Sequence, residues 1–155
     1  MIRVELSHSF PTPVEDGFTY ITDTKNWHEY WPDFVRLENQ HDVSWRAPGD
    51  TATVVVKLLW RETNLDMTLE EFDRNALVRY TSRQHRLPIA RHERRFSPTK
   101  TGFEYTLAVS FEPRTGLTGI FDRFLVKRAI ASALQKTINN LESALDQRQH
   151  RQIHS

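Results

Sequence analysis

One long segment without helix breakers closes the sequence, and it limits the folds that the rest can adopt. No proline or glycine lies between Gly119 and Leu145, so the sequence predicts one helix over residues 117–145. At 1.5 Å per residue this helix would be about 40 Å long, which is enough to cross a whole sheet. The apolar residues expected on its buried stripe are Leu117, Phe121, Phe124, Ala131, Ile138, Leu141 and Leu145.

Strand-like segments precede this helix, and two short helices interrupt them. The first strand is predicted over 2–10, where apolar and polar residues alternate. Later strands are predicted over 34–40, 51–60, 63–72, 76–84, 89–96 and 103–111. Since most of their connections are short, we expect antiparallel hairpins. The two helices follow the candidate N-caps Thr12 and Asn26, each with a glutamate three residues on, as in a capping box.

Two segments carry a resemblance to a known fold. "SFPTPVEDGFTYITDTKNWHEYWP" looks like an opening strand, a capped helix and an aspartate-then-tryptophan segment, and "RFSPTKTGFEYTL" precedes the last strand. Together with the element order, over about residues 2–146, they resemble the START-like superfamily, often labelled SRPBCC. Its polyketide cyclase/dehydrase-like members have the α+β helix-grip fold. That resemblance implies a curved seven-stranded antiparallel sheet wrapped around a long C-terminal helix, with two short helices between strands 1 and 2.

Composition narrows the class of protein. The 155 residues suggest a single domain, which the resemblance implies is a START-like ligand-binding domain over 1–146, followed by a polar tail over 147–155. A formal net charge of +1 gives no reason to expect nucleic acid or an acidic membrane as partner. There is no cysteine, and no segment is apolar for long enough to form a signal peptide or a membrane-spanning helix. We therefore expect a cytoplasmic protein, either a monomer or a homodimer.

The segment "NWHEYWPDF" concentrates aromatic residues on one helical face. Trp27, Tyr30, Trp31 and Phe34 recur at the spacing i, i+3, i+4, i+7, although Pro32 should end the helix one turn on. In a helix-grip fold this segment would close one end of the hollow between sheet and helix. The aromatic rings would then either line the mouth of a ligand pocket or plug the end of the core.

Strand pairing through the short turns predicts a mostly apolar inner wall. We expect Leu58 opposite Leu65, Val56 opposite Met67, and Leu69 opposite Tyr80. The same reasoning places Ser82 opposite His92, Tyr80 opposite Arg94, Arg94 opposite Tyr105, and Phe96 opposite Phe103. On the outer face it pairs Glu70 with Arg79 and Asp66 with Arg83, which are favourable cross-strand ion pairs. The apolar wall would hold Val54, Val56, Leu58, Met67, Leu69, Leu107 and Val109, with Tyr80, Ser82, His92, Arg94 and Tyr105 as a small polar set.

An arginine inside this wall needs a partner, because an unpaired internal charge costs several kcal/mol. Arg94 could form a structural pair with Glu71 and the tyrosines, donate to a ligand carbonyl, enolate or carboxylate, or extend to solvent. His92 could be a satisfied core residue or a proton shuttle. The candidate catalytic residues are therefore His92, Arg94 and Glu71.

Other charged segments suggest no site. The arginines of "RQHRLPIARHERR" should alternate outward as a solvated sheet face. The histidines have no metal-ligand spacing, and no nucleophile or cofactor motif occurs, so neither a metal nor a cofactor is expected.

Three functions remain open. The first is a carrier or sensor of a small hydrophobic molecule such as a polyketide, lipid or quinone, which requires room for that guest between sheet and helix. The second is a polyketide cyclase or dehydratase, in which Arg94 or a tyrosine stabilises an enolate and His92 or Glu71 moves the proton. The third is an interaction module with a filled core, exposing Trp31 or Trp45. The predicted ligand-binding residues are Trp27, Tyr30, Trp31, Val56, Leu58, Met67, Leu69, Tyr80, Ser82, His92, Arg94, Tyr105, Leu107, Phe121 and Phe124.

Overall fold

Seven strands form one antiparallel sheet in the part of the chain that the structure describes. This computed structural model describes residues 1–58 and 60–153, without the side chains of residues 58, 152 and 153. The strands are β1 Ile2–Phe10, β2 Phe34–Leu37, β3 Thr51–Leu58, β4 Arg61–Asp73, β5 Leu77–Gln84, β6 Ala90–Pro98 and β7 Phe103–Phe111. Their order across the sheet is β1-β7-β6-β5-β4-β3-β2, so β1 and β2 are its two edges.

Helices connect those two edges and follow the last strand. The β1–β2 connection contains α1 Val14–Thr22, a 3-10 turn Thr24–Asn26 and α2 Trp27–Tyr30, and a second 3-10 turn Gln40–Asp42 follows β2. After β7 come α3 Leu117–Phe121, a π-helical turn Asp122–Val126 and α4 Lys127–Ile153. The apolar stripe of α4 enters the same core as the sheet, through Leu134, Ile138, Leu141 and Leu145. This is the predicted helix-grip fold, and the helix also includes residues 147–153 of the expected polar tail.

The predicted capping boxes are wrong. Helix α1 begins at Val14, and the preceding Pro13 is extended (φ −56°, ψ 142°) and takes the N-cap position itself. Thr12 therefore lies one residue too early, and no side chain caps this helix. Asn26 does occupy the predicted N-cap position of α2, but its side chain makes no capping hydrogen bond, and its amide donates instead to the carbonyl of Tyr20 at 3.1 Å.

The apolar stripe predicted for the last helix is correct only in its second half. Ile138, Leu141 and Leu145 are buried, whereas the earlier residues of that stripe are exposed. The π-helical turn Asp122–Val126 separates Leu117 and Phe121 from the buried residues of α4, whereas Ala131 follows the turn and is exposed as well. Such a turn accommodates one extra residue, which offsets the two parts by about 100°, or roughly a quarter turn. A uniform helical period therefore could not place both parts on one face.

Strand registers differ from the prediction by even numbers of residues. Pairing of β4 with β5 is as predicted, with Leu69 opposite Tyr80. Met67 lies opposite Ala52 instead of Val56, because β3 and β4 pair out to Leu58 and Arg61. Strand β6 is shifted by two residues against both of its neighbours. His92 rather than Arg94 is opposite Tyr80, Leu107 rather than Tyr105 is opposite Arg94, and Tyr105 rather than Phe103 is opposite Phe96. Even shifts keep every side chain on its expected face, so the inner wall survives these errors.

A β-bulge changes one predicted ion pair. The register shifts between Leu69 and Glu71, so that Glu71, not Glu70, lies opposite Arg79. Arg79 Nη1 is 2.6 Å from a Glu71 carboxylate oxygen. The second predicted pair on that face keeps its register, with Asp66 opposite Arg83.

Candidate functional site

A small cavity lies between the sheet and the β1–β2 connection, with aromatic rings around a single arginine. Its volume is about 40 Å³. The residues that line it are Ile21, Thr22, Trp27, Tyr30, Trp31, Trp45, Met67, Val78, Tyr80, Arg94, Phe96 and Tyr105. Trp27 meets the Trp45 ring edge to face at 5.7 Å between centroids, and Trp45 meets Tyr80 in the same way at 5.6 Å.

Arg94 reaches this cavity from β6, and no carboxylate of the described residues forms an ion pair with it. Its Nη2 donates to the Tyr80 hydroxyl at 3.2 Å, and the guanidinium lies 5.7 Å from the centroid of the Tyr80 ring. Its Nη1 is buried and has no hydrogen-bond acceptor among the described residues. The predicted partner Glu71 is not in the site, because the bulge in β4 pairs it with Arg79. An arginine stays protonated in proteins, so a positive charge with an unused donor faces the cavity.

His92, beside the cavity, is a second buried side chain with one hydrogen-bonding atom unsatisfied among the described residues. Its Nε2 and the Ser82 hydroxyl are 2.7 Å apart, and its ring stacks on Tyr80 at 4.4 Å with an interplanar angle of 4°. Its Nδ1 is buried without a partner among the described residues. Burial, reinforced by the positive charge of Arg94, lowers the pKa of His92 well below its usual range. His92 is therefore neutral at pH 7 and cannot serve there as a general acid.

The phenols around Arg94 are proton donors at neutral pH. Burial raises the pKa of Tyr30 well above its usual value. Burial also raises the pKa of Tyr105, with a smaller opposing effect of Arg94. The Tyr30 hydroxyl is already engaged, since it donates to the Ile21 carbonyl at 2.6 Å. Tyr105 lines the cavity as a protonated phenol next to the guanidinium.

Helix α2 closes the cavity and is held by a few hydrogen bonds. Trp27 Nε1 and the Tyr30 hydroxyl both donate to the Ile21 carbonyl, at 3.2 and 2.6 Å. From the other side, Asn140 of α4 donates to the Tyr30 carbonyl at 3.0 Å. Since α2 has only four residues, these contacts rather than its own helical bonds determine its position.

The cavity is smaller than the sequence led us to expect. A cavity of about 150 Å³ holds a benzene molecule, whereas about 40 Å³ is room for a few waters. Among the described residues this cavity therefore lacks the expected room for a hydrophobic guest, because the aromatic rings fill most of the space. A guest larger than a few atoms needs some of these rings to move.

The predicted ligand-binding residues fall into three groups. Those that line the cavity are Trp27, Tyr30, Trp31, Met67, Tyr80, Arg94 and Tyr105. Those that are buried without lining it are Val56, Leu69, Ser82 and Leu107, and His92 lies beside it behind Tyr80. Phe121 and Phe124 point to solvent, with 46% and 70% of their surface exposed, because the π-helical turn rotates them away from the core. The side chain of Leu58 lies outside the described residues.

Sequence reasoning missed five residues of the lining. These are Ile21, Thr22, Trp45, Val78 and Phe96. Trp45 was expected as an exposed contact for a partner, yet it is 5% exposed and packs between Trp27 and Tyr80. Its loop has no periodic pattern, so nothing local to the sequence indicates that the chain turns this ring inward.

The described residues offer neither a metal site nor a membrane-spanning helix. No group of three histidine, aspartate or glutamate side chains there is placed to hold a metal ion. None of the described helices is long and apolar enough to cross a membrane.

Solved structures share this fold at low sequence identity. The Zhui aromatase/cyclase of Streptomyces sp. R1128 superposes with a TM-score of 0.79 at 12% identity, covering 95% of this chain and 94% of that one. A protein of Mesorhizobium loti gives 0.75 at 16% identity, covering 94% and 98%. A protein of Thermus thermophilus gives 0.73 at 19% identity, covering 92% and 95%. At such identities the likeness establishes the fold alone.

Sequence comparison gives the family. No curated protein matches the chain significantly in sequence. The model of the family described as "Polyketide cyclase / dehydrase and lipid transport" matches residues 1–146, which is nearly the whole chain. The chain therefore belongs to the polyketide cyclase/dehydrase and lipid transport family.

Proposed function

We propose that this protein binds a small hydrophobic molecule that presents a carbonyl or anionic oxygen to Arg94. The observation that carries the proposal is the buried guanidinium, which has an unused donor and no carboxylate partner among the described residues. A charge placed this way costs several kcal/mol unless something compensates it. A ligand oxygen at Nη1 would supply that compensation.

The walls around Arg94 favour an aromatic or otherwise flat apolar ligand. Trp27, Trp45 and Tyr105 offer ring faces and edges, and Met67 is a flexible neighbour that adapts to different shapes. Affinity would come from removing apolar surface from water, at about 25 cal/mol per Å². The oxygen at Arg94 would set the orientation. This combination of an apolar wall and one placed charge is the usual form of a small-molecule site.

Binding requires the cavity to open, and α2 is the element that would move. It carries Trp27, Tyr30 and, at its end, Trp31, so a shift of this short helix would displace three lining rings at once. Breaking the hydrogen bonds from Asn140, Trp27 and Tyr30 would cost about 1 kcal/mol each, and the bond that the Tyr20 hydroxyl donates to the Glu29 carboxylate about 1.5–3 kcal/mol. That cost is small enough for a ligand to offset.

A fluorescence titration with two matched probes tests the proposal. Trp27 and Trp45 lie in the cavity wall, so an aromatic guest should quench their emission. We expect 2-naphthoate, which has a carboxylate, to bind more tightly than naphthalene, which has none. Arg94→Met should weaken 2-naphthoate by about 10- to 100-fold, the value of a hydrogen bond to a charged group, and leave naphthalene unchanged. Arg79→Met is the matched control, because Arg79 is half-buried on the outer face of the sheet, away from the cavity, and pairs with Glu71 and Glu93.

Equal affinity of 2-naphthoate for the parent protein and for Arg94→Met would contradict the proposal. Absence of binding by either probe, together with no small molecule retained in native mass spectrometry of protein purified from its host, would favour the filled-core interaction module instead. The cavity volume alone is compatible with that module.

Polyketide cyclisation is the second candidate, and one arrangement favours it. Arg94 and the protonated Tyr105 lie together in a space largely closed to water, where they could stabilise an enolate oxygen. The base is less well placed, because His92 lies behind Tyr80 and its lowered pKa weakens it. If the protein is a cyclase, His92→Ala should abolish turnover of a polyketone while the 2-naphthoate affinity stays the same.

A further inference from the structure

Large exposed hydrophobic side chains gather at one end of the sheet. The helical segment 117–125 contributes Leu117, Ile120, Phe121, Phe124 and Leu125, at the one-face spacing i, i+3, i+4, i+7, i+8. Leu117 is 85% exposed and Phe124 70%. This stripe turns toward solvent because the π-helical turn separates it from the buried stripe of α4.

The strand registers place other exposed hydrophobic residues at the same end. Strands β3 and β4 pair out to Leu58 and Arg61, so Trp60 lies at the tip of their hairpin. Strand β6 begins at Ala90, which is paired with Phe111 at the end of β7, so the preceding Ile89 is there too. Trp60 is 82% exposed and Ile89 47%. We call Trp60, Ile89 and the stripe of 117–125 the apolar end.

The segment 117–125 is fixed to the sheet rather than frayed from it. The fully buried carboxylate of Asp122 accepts hydrogen bonds from the backbone N–H of Arg114 at 2.7 Å and from its guanidinium at 2.6 and 3.0 Å. The same guanidinium donates to the carbonyl of Arg86 in the β5–β6 turn. A Cβ on Gly119 would come within 2.1 Å of the Arg114 carbonyl, so the backbones meet closely. These contacts therefore fix the helical part of the apolar end against the sheet, with its hydrophobic side chains facing solvent.

Positive charge surrounds the apolar end. Arg123, Lys127 and Arg128 lie on the helix, and Arg86 is on the adjoining turn, all of them exposed. Among the described residues no carboxylate forms an ion pair with these four side chains. The acidic residue within 113–141 is Asp122, which is buried and paired with Arg114. The overall charge of +1 thus conceals a local excess of positive charge.

We propose that the apolar end docks on the surface of an anionic lipid bilayer. Phenylalanine, tryptophan and leucine on one face, with lysine and arginine beside them, are the composition of a segment that lies in a membrane interface. Four exposed cations that form no ion pair with a carboxylate among the described residues are complementary to anionic headgroups. The proposal concerns the outer surface, so it holds whatever occupies the cavity.

Co-sedimentation with vesicles tests this docking surface. The protein should bind phosphatidylcholine vesicles that contain phosphatidylserine more tightly than vesicles of phosphatidylcholine alone. Lys127→Gln with Arg128→Gln should lower the partition coefficient on the anionic vesicles by about 25-fold, at about fivefold per charge. Arg74→Gln with Lys100→Gln removes the same charge from turns at the opposite end of the sheet and should change it little.

The apolar contribution is tested with Phe121→Ser and Phe124→Ser. Both rings are exposed, so the double variant should keep its melting temperature while its vesicle affinity falls by roughly tenfold per ring. Trp60 emission should shift to shorter wavelength with anionic vesicles, and Trp60→Phe should lose that shift.

Three results would overturn the assignment. One is no vesicle binding by the parent protein at low salt. Another is binding that the phenylalanine variant leaves unchanged. The third is a dimer in light scattering that this variant dissociates, since the apolar end would then be a contact between two copies of the chain.

Discussion

Replacement of Arg94 by methionine should stabilise the protein in the absence of ligand. The change removes one hydrogen bond of 3.2 Å to Tyr80, which is worth about 1 kcal/mol. It also removes a buried cation that has no carboxylate partner among the described residues, and the desolvation of such a charge costs several kcal/mol. Methionine fills a similar volume with a flexible apolar chain. We expect the free energy of unfolding to rise by about 1–3 kcal/mol.

Thermal unfolding followed by circular dichroism measures this change. For a domain of about 150 residues, 1 kcal/mol corresponds to roughly 2–4 °C, so the melting temperature should rise by several degrees. Arg79→Met should lower the melting temperature instead, because it breaks the ion pairs of Arg79 with Glu71 and Glu93. A fall of the Arg94→Met melting temperature comparable to that of Arg79→Met would refute the reasoning, since Arg94 would then be part of the stabilising core.

Three further outcomes are expected. Burial lowers the pKa of His92 in the folded protein, so the unfolded chain binds a proton there at a higher pH than the folded one does. The free energy of unfolding should therefore decline as pH falls below about 6.5. Urea titrations at several pH values should show that His92→Gln removes this part of the decline. Asn140→Ala removes the donor to the Tyr30 carbonyl and should speed hydrogen exchange in α2 while costing about 1 kcal/mol; unchanged exchange would show that α2 is held by other contacts. Gly102→Ala would place a Cβ 1.9 Å from the Phe10 carbonyl, and a thermal melt should show at least about 1–3 kcal/mol of destabilisation.

The fold was predictable because its signals are redundant. Alternation in the strands, short connections and a long helix without breakers all led to the same element order. Apart from the one-residue shift at the β4 bulge, each error in register was an even number of residues and left Met67, Tyr80 and Arg94 on the expected side of the sheet.

The site was predictable only where a strand or helix period carries the signal. Arg94, Tyr105 and the aromatic residues of α2 were found in this way. Trp45 was missed because it comes from an irregular loop, and Glu71 was misplaced because a bulge has no signature in the sequence. The direction of Phe121 and Phe124 was wrong for a related reason, since the π-helical turn changes the phase that a uniform period assumes.

The wide turn at Asp122–Val126 has a consequence for how this helix tolerates changes of length. Deleting one residue there would restore a uniform α-helical pitch and rotate the preceding residues, such as Leu117 and Phe121, by about 100° relative to α4. Relatives that differ by a single insertion or deletion at this point would thus show quite different surfaces to their surroundings, even with the same residue types on either side.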